Sequence, residues 1–314
     1  MTEEFIYRWE QVKGNTWCMV TPYARIPVYM LGDNRVIMID SGWPEDQKGI
    51  LSLLEERQLR VAALLMSHAH PDHMGNHNFL RERYGASVYM TPLNAAICAD
   101  TMNMYALSGC RISYRTVSKR AELFVATDHI IPWTDGQIVV EGASFQTLMT
   151  PGHCAEHLSF ITPDNVAYLG DAVLTVDVMR RARLHYTTSI GEELASKEKL
   201  AQLKCDKYIL AHNGVLDDVQ ETIRENVSIM NAHLDVFEEL AGEPITADDL
   251  VREYIMHAGS DPQKWRSVRG MHYNALAYLS YLEDARRLKL IVEDGYLKYV
   301  RPDCIPESYW GGIK

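Results

Sequence analysis

The decapeptide HAHPDHMGNH at residues 68–77 holds four of the chain's twelve histidines, together with an aspartate. Such a concentration of nitrogen and oxygen donors points to a shared metal rather than to a histidine-rich surface loop. In an extended backbone, residues two apart project to the same side, so His68 and His70 can reach one ion. Asp72 and His73 follow a bend marked by Pro71 and can aim elsewhere, at a second ion. Three further donors, His153, Asp171 and His212, end later apolar runs. Sorted by geometry, His68, His70 and His153 form a three-imidazole site. Asp72, His73 and His212 form a second, and Asp171 bridges the two. Three protein ligands leave positions open to water, the catalytic arrangement rather than the closed structural one. Two neighbouring ions can hold a hydroxide, and zinc alone brings the pKa of its water down to about 7. No cysteine enters the donor set. Two divalent ions are therefore expected, zinc first, with iron or manganese possible.

The donors need elements to carry them. RVIMID (35–40) ends on Asp40, VAALLMSH (61–68) on His68 and FQTLMTPGH (145–153) on His153, while VAYLGD (166–171) ends on Asp171 and KYILAH (207–212) on His212. Continuous aliphatic runs suit strands covered on both faces. Loops beyond strand ends are free to project side chains. Strands that deliver Asp or His at their C-terminal ends would gather one polar site along one rim of a sheet. Helical stretches intervene: 44–58 has apolar residues at helical spacing behind an acidic first turn, and 74–85 reads as a helix closed by Gly85. Residues 94–130 form a Met-rich, helical insertion, either a lid over the site or core packing. The composition shifts after His212. Residues 219–242 read as one amphipathic helix, a second begins at Thr246 with Asp249 at the capping-box position, and a third spans 271–288. KLIVEDGYLKYV (289–300) reads as a hairpin turned at Asp294-Gly295. Helices closed by a hairpin suggest a small winged-helix-like α+β module. The expected domains are 1–217 and 218–314.

The motifs, in order, resemble the metallo-β-lactamase-fold hydrolase superfamily. They are IDSGW at 39–43, HxHxDH at 68–73, TPGHCAEH at 150–157, YLGDAVL at 168–174 and AHNG at 211–214. The resemblance covers about residues 15–215. It implies an α/β fold of the αββα four-layer sandwich type, with a dinuclear site at one edge. It also implies that Asp40 is a carboxylate behind the ligands that orients them, and that His157 supports the site by hydrogen bonding. The stretch 275–291 is similar to winged-helix tails of some members, including a lactamase-like endoribonuclease subgroup. Members of the diiron flavoprotein type carry a glutamate where this chain has His70, which disfavours a flavodiiron oxidoreductase.

Other residues near these motifs have plainer readings. His77, one helical turn past His73, reads as a surface or supporting residue and not a ligand. Cys154 is expected to point away from the site, and Asp206 and Asp217 to be solvated carboxylates. Within VMRRARLHY (178–186), Arg181 and Arg183 are candidates to receive a substrate carboxylate or phosphate. His185 and Tyr186 belong with them, since a tyrosine hydroxyl could donate to a developing oxyanion or simply pack.

The activity expected is that of a metal-dependent hydrolase. Its metal-held hydroxide would attack the carbonyl of an ester, thioester, lactone or amide in a small substrate, which can be anionic, with Asp72 relaying a proton while it ligates. One alternative is a phosphodiesterase or endoribonuclease using the same ions. Another is a non-enzymatic metal-binding sensor or dimerisation module, which a complete ligand set argues against. A net charge of −11 repels phosphate backbones. Residues 244–300 carry eight acidic and eight basic side chains, poor footing for nucleic acid. The six cysteines are scattered, with no CxxC pair, as in a cytoplasmic protein with reduced thiols. The opening MTEEFIYRWE has no signal-peptide core, and no apolar run reaches membrane-spanning length. The partners expected are a small-molecule substrate and, through the C-terminal module, a second copy of the chain, with no membrane.

Overall fold

The computed structural model describes residues 7–107, 115, 123–212 and 214–305. The first aliphatic runs build a seven-stranded sheet in chain order: β1 (Arg8–Lys13), β2 (Thr16–Val20), β3 (Arg25–Met30), β4 (Arg35–Ile39), β5 (Arg60–Leu65), β6 (Ser87–Met90) and β7 (His129–Ile130). Neighbours are antiparallel up to β4 and parallel from β4 onward. The second sheet has six strands, also in chain order: β8 (Gly136–Val140), β9 (Ala143–Met149), β10 (Leu158–Ile161), β11 (Val166–Gly170), β12 (Lys207–Leu210) and β13 (Gly214–Leu216). Only the β11–β12 pair is parallel.

Strand periodicity explains the layering. Along β4, Ile37 and Ile39 face inward, where they meet Leu65 of β5 and Phe145, Phe160 and Tyr168 of the second sheet. Val36 and Met38 face outward, onto Ile50, Leu53 and Leu54 of α1 (Gln47–Glu56). On the far side, Leu169 and Leu210 meet Leu200 and Ile223. The result is helices, sheet, sheet, helices.

The helix expected over 74–85 is broken. α2 (Pro71–Met74) and α3 (His77–Tyr84) are separated by Gly75 and Asn76. Asn76 Nδ2 donates to the Ser41 and Trp43 carbonyls at 2.7 Å each. A Cβ on Gly75 would lie 2.5 Å from the Gly42 carbonyl oxygen. The chain bends there because it packs on the 41–44 turn. Gly85 does close α3, in the left-handed conformation at φ 70°. In the insertion, α4 (Pro92–Ala99) and α5 (Thr101–Leu107) are helical, and Cys98, Leu123 and Val125 join the outer core of the first sheet. Residues 108–114 and 116–122 of the expected lid lie outside the described residues.

Between β11 and β12 run α6 (Val176–Ala182) and α7 (Ile190–Ala201). The C-terminal part follows, with α8 (Gln220–Leu240), β14 (Ile245–Thr246), α9 (Ala247–His257), α10 (Trp265–Asp284), β15 (Lys289–Glu293) and β16 (Tyr296–Val300). The last three strands pair in the order β14-β16-β15. Thr246 caps α9, accepting from the Asp249 amide. The hairpin turns on Asp294 and Gly295, at φ 51° and 80°, the pair of positive values a two-residue turn requires. These helices share their core with the β11–β12 crossover: Leu234, Phe237, Tyr254 and Leu279 pack in one cluster with Leu174, Met179, Leu184 and Ile190. No helix of the described residues is long and apolar enough to cross a membrane.

Phe237 is fully buried, with its ring stacked on Tyr254 at 4.4 Å and 11°. Phe237→Ala is expected to lower unfolding free energy by about 3–5 kcal/mol, as measured by urea denaturation.

Candidate metal centre

The rim of the sandwich is organised from behind by Asp40. It directly follows β4, at φ 63°, and is 2% exposed. Its carboxylate accepts from the Ser67 amide at 2.8 Å, Ser67 Oγ at 2.6 Å, His73 Nδ1 at 2.8 Å and Tyr168 Oη at 2.7 Å. These bonds fix tautomers. His73 spends its Nδ1 proton on Asp40 and presents the Nε2 lone pair. Ser67 spends its proton on Asp40, so at 3.0 Å it accepts from His68 Nδ1 and leaves the His68 Nε2 lone pair facing the rim. His212 Nδ1 donates to the Tyr23 carbonyl at 3.0 Å, which exposes its Nε2 in the same way.

Two donor clusters result. In the first, His70 Nδ1 lies 2.9 Å from both His68 Nε2 and His153 Nε2. In the second, His212 Nε2 lies 3.3 Å from Asp72 Oδ2 and 3.4 Å from Asp171 Oδ1, and His73 Nε2 lies 3.4 Å from the same Asp171 oxygen. The other Asp171 oxygen, Oδ2, lies 3.4 Å from His153 Nε2, so this carboxylate touches both clusters. Within each cluster the donor atoms all lie within 4.8 Å of one another. A cation fits this arrangement. The three imidazole nitrogens turn toward one another, and His73 Nε2 and Asp171 Oδ1 are buried with no hydrogen-bond partner among the described residues. Asp72 and His212 are the more exposed members of the second cluster and mark its mouth.

The clusters differ in charge. In the metal-free protein, burial and the neighbouring imidazoles hold His68 well below the usual histidine range. Burial and His153 push His70 down to about 3. Burial, against the pull of Asp171, takes His153 down to about 4. In the second cluster burial is outweighed. The carboxylates of Asp171, Asp72 and Asp40 raise His73 well above its usual range. Asp171 and Asp72 raise His212 to about 10. Against burial, His73 and His212 hold Asp171 well below the carboxylate range and Asp72 at about 2. Protons thus occupy the second cluster where a cation would otherwise sit.

Supporting groups secure the loops. His157 Nδ1 donates to Thr150 Oγ1 at 2.8 Å, and its Nε2 accepts from the Asp171 amide at 3.1 Å. Gly170 makes room for that ring: at φ 52°, a Cβ there would lie 2.6 Å from His157 Nε2. α7 and the segment leading into it clamp the His153 loop, with Ser196 donating to the Pro151 carbonyl at 2.7 Å and the Thr188 amide to the Gly152 carbonyl at 2.8 Å. Lys197, fully buried, donates to the Ala172 carbonyl beside Asp171 at 2.7 Å and pairs with Glu193 at 2.9 Å.

Two expectations need correction, His185 at the rim and His77 at the surface. His185 does not face the rim: it is buried, with Nε2 3.1 Å from Glu193 and Nδ1 2.9 Å from Tyr278 Oη. His77 is not at the surface. It is fully buried, 2.7 Å from Ser41 Oγ. Asp206 and Asp217 are exposed but pair with Lys13 and Lys207. Tyr186 lies edge-on against His70 and His153, with ring centroids 5.1 and 5.2 Å away. Arg181 and Arg183 are exposed and line a cavity with Asp177 and Arg180. Cys154 belongs to neither donor cluster. Ser67, Tyr168, Glu193 and Lys197 escaped the sequence reading. A buried tyrosine hydroxyl and a polar residue beside His68 were the available signals.

The model of the Metallo-beta-lactamase superfamily matches residues 25–212, more than half of the chain, and the chain belongs to that superfamily. The Probable metallo-hydrolase YqgX of Bacillus subtilis is 29% identical over 206 residues, covering 64% of this chain and 90% of its own. The Atrochrysone carboxyl ACP thioesterase of Aspergillus fumigatus is 25% identical over 210 residues, covering 63% of this chain and 54% of its own. The chain thus spans about half the length of that relative. A metallo-beta-lactamase family protein from Thermus thermophilus has the same fold, with a TM-score of 0.70 at 20% identity over 93% of this chain and 98% of its own.

Linkage fixes the pH profile of the metal-free protein. Unfolded histidines bind protons near pH 6.5, whereas folded His70, His153 and His157 do so only at about 3 to 4. Stability therefore falls as pH drops from about 6.5 toward 4. The proton on His212 stabilises fully below about 6.5, and its contribution is lost as pH rises toward about 10, with His73 acting in the same sense. Chelator-treated protein should be most stable near pH 6.5 in urea titrations. Zinc should flatten the alkaline limb, because ligation uses the lone pairs those protons held. A stability that climbs steadily to pH 9 without metal would contradict these charge states.

Proposed function

We propose that the chain is a metal-dependent hydrolase that cleaves an acyl bond, thioester before ester, lactone or amide. His68, His70 and His153 would hold one divalent ion, and Asp72, His73 and His212 a second, with Asp171 between them. The observation that carries this reading is the convergence of ligating atoms from seven side chains, with the far nitrogens of His73, His68 and His212 already committed to Asp40, Ser67 and a backbone carbonyl. Zinc, or iron or manganese in its place, would supply Lewis acidity and a water ionising near neutrality. The protein's own groups do the rest. Asp72, at the mouth, has its Oδ2 toward His212 and His73 and is placed to carry a proton toward the leaving group. Tyr186 covers the first cluster and is placed to donate to the carbonyl oxygen as charge develops. Asp40, His157 and the α7 clamp hold the donors in register. The thioester is placed first because one matched relative is named as an ACP thioesterase. The C-terminal order of helices and hairpin supports a winged-helix-like module that covers the crossover.

The test is metal analysis of purified protein followed by a panel of chromogenic ester, thioester, lactone, β-lactam and phosphodiester substrates. Two equivalents of metal and a preference for thioester are expected, while a preference for phosphodiester would favour the nuclease alternative. His70→Ala should lose metal and at least about a hundredfold in turnover, the upper end of what loss of an outer partner alone costs, with circular dichroism unchanged. Turnover that persists with an emptied site would reject the reading.

A further inference from the structure

α6 carries a cationic cluster that the proposed chemistry does not use. Arg180, Arg181 and Arg183 line a cavity of about 410 Å³ together with Asp177. Arg180 and Arg183 also line an adjoining cavity of about 440 Å³, walled by Met179 on one side and by Ile229 and Val236 of α8 on the other. Eight arginines of the described residues sit on carboxylates, Arg35, Arg81 and Arg287 among them. Arg180 and Arg181 of α6 and Arg183 just past its end make no ion pair among the described residues. Three unpaired guanidinium groups are a standing demand for an anion, and their fork geometry suits phosphate.

The backbone is distorted to keep them there. Arg183 has φ 64° and ψ −52°, and the Leu184 amide bonds back to the Ala182 carbonyl at 2.7 Å. This is the positive-φ γ-turn, a rare and strained form for a residue with a side chain. Tyr254 Oη donates to the Arg183 carbonyl at 3.1 Å, and Asn274 Nδ2 to the Leu184 carbonyl at 2.9 Å. Strain that is over-determined from two other helices is a mark of a functional constraint. Arg183 also stands three residues before Tyr186. At about 3.3–3.6 Å per residue the two backbones are at most about 11 Å apart, and the Tyr186 ring reaches His70 at 5.1 Å. The arginines and the donor clusters thus lie within the span of one extended ligand.

We propose that this groove binds the phosphate-bearing arm of a thioester carrier, its phosphate on Arg180, Arg181 and Arg183 and its carbon-rich arm along the half-buried Ile229–Val236 face of α8. The inference rests on the hydrolase reading above and names its substrate class. Free inorganic phosphate would leave the apolar wall unused. Nucleic acid would need a larger stacking platform than the imidazoles of His233 and His257 offer, and Tyr254, which also lines the groove, is 1% exposed.

The test compares one acyl group carried on coenzyme A with the same group on N-acetylcysteamine, which keeps the thioester and lacks phosphate. Metal-loaded protein should prefer the coenzyme A thioester by more than tenfold in kcat/KM. The variant Arg180→Ala/Arg183→Gly should cut that preference at least tenfold, through KM. Glycine removes the guanidinium yet accepts the positive φ, so the fold survives. Arg224→Ala, which breaks a surface pair with Glu221, should leave the preference in place. A third arm presents the acyl group on a holo acyl carrier protein. Whichever carrier shows the larger arginine-dependent preference is the source of the phosphate arm. A preference that is absent in the wild type, or intact in the double variant, overturns the proposal. Calorimetric titration with coenzyme A or holo carrier protein separates the two readings. Arginine-dependent binding without turnover upholds the groove and sinks the hydrolase; turnover of thioesters by a protein that binds neither carrier does the reverse.

Discussion

A buried carboxylate at the end of β4 sets the geometry of everything at the rim. Asp40 ties together the Ser67 amide and hydroxyl beyond β5, His73 in α2 and Tyr168 in β11 of the opposite sheet. Charge-assisted hydrogen bonds are worth about 1.5–3 kcal/mol each, but removing the ion from water offsets much of that gain. Its value is therefore orientation more than stability. Through His73 directly, and through Ser67 to His68, one carboxylate decides which nitrogen faces the rim in both donor clusters. Tyr168 brings the second sheet into the same bond network, so the relative placement of the sheets and the tautomers of the ligands are a single constraint.

The two clusters then divide the electrostatics. Three neutral imidazoles surround the first position, with Asp171 touching it from one side. Two carboxylates and two imidazoles surround the second. On the proposed reading, an ion in the first position retains more of its charge and is the stronger electrophile, while the second is largely neutralised by Asp72 and Asp171. In the metal-free protein the second cluster balances itself with protons on His73 and His212, so the fold does not need an ion to keep its carboxylates apart.

Local pattern and tertiary context contributed differently to what could be read from the chain. The aliphatic runs ending on Asp40, His68, His153, Asp171 and His212 were legible because each strand and its terminal donor are contiguous, and the sheet brings the ends together without further information. The αββα layering was implied by the resemblance to the superfamily rather than by the runs themselves. His185 was misread because nothing near it in the chain shows Glu193, one helix on, or Tyr278, 93 residues away. Buried His77 and the break at Gly75–Asn76 depend on the 41–44 turn, which is equally remote. Nothing in the sequence around Lys197 marks it; only the packed structure shows its ammonium on the Ala172 carbonyl.

The crossover from Asp171 to His212 is where chemistry and selection meet. Its first residues carry a bridging donor, its α6 the unpaired arginines, its middle Tyr186, and its α7 the clamp on the His153 loop. Yet it is not self-supporting. Arg183 is held by α9, Leu184 and His185 by α10, and Leu174, Met179 and Ile190 lie in the core of the C-terminal helices. A change in that C-terminal packing would move the arginines and Tyr186 together while Asp40 kept the donors fixed. The strand ends thus set what reaction the rim supports, and the C-terminal helices, acting through the crossover, set what is presented to it.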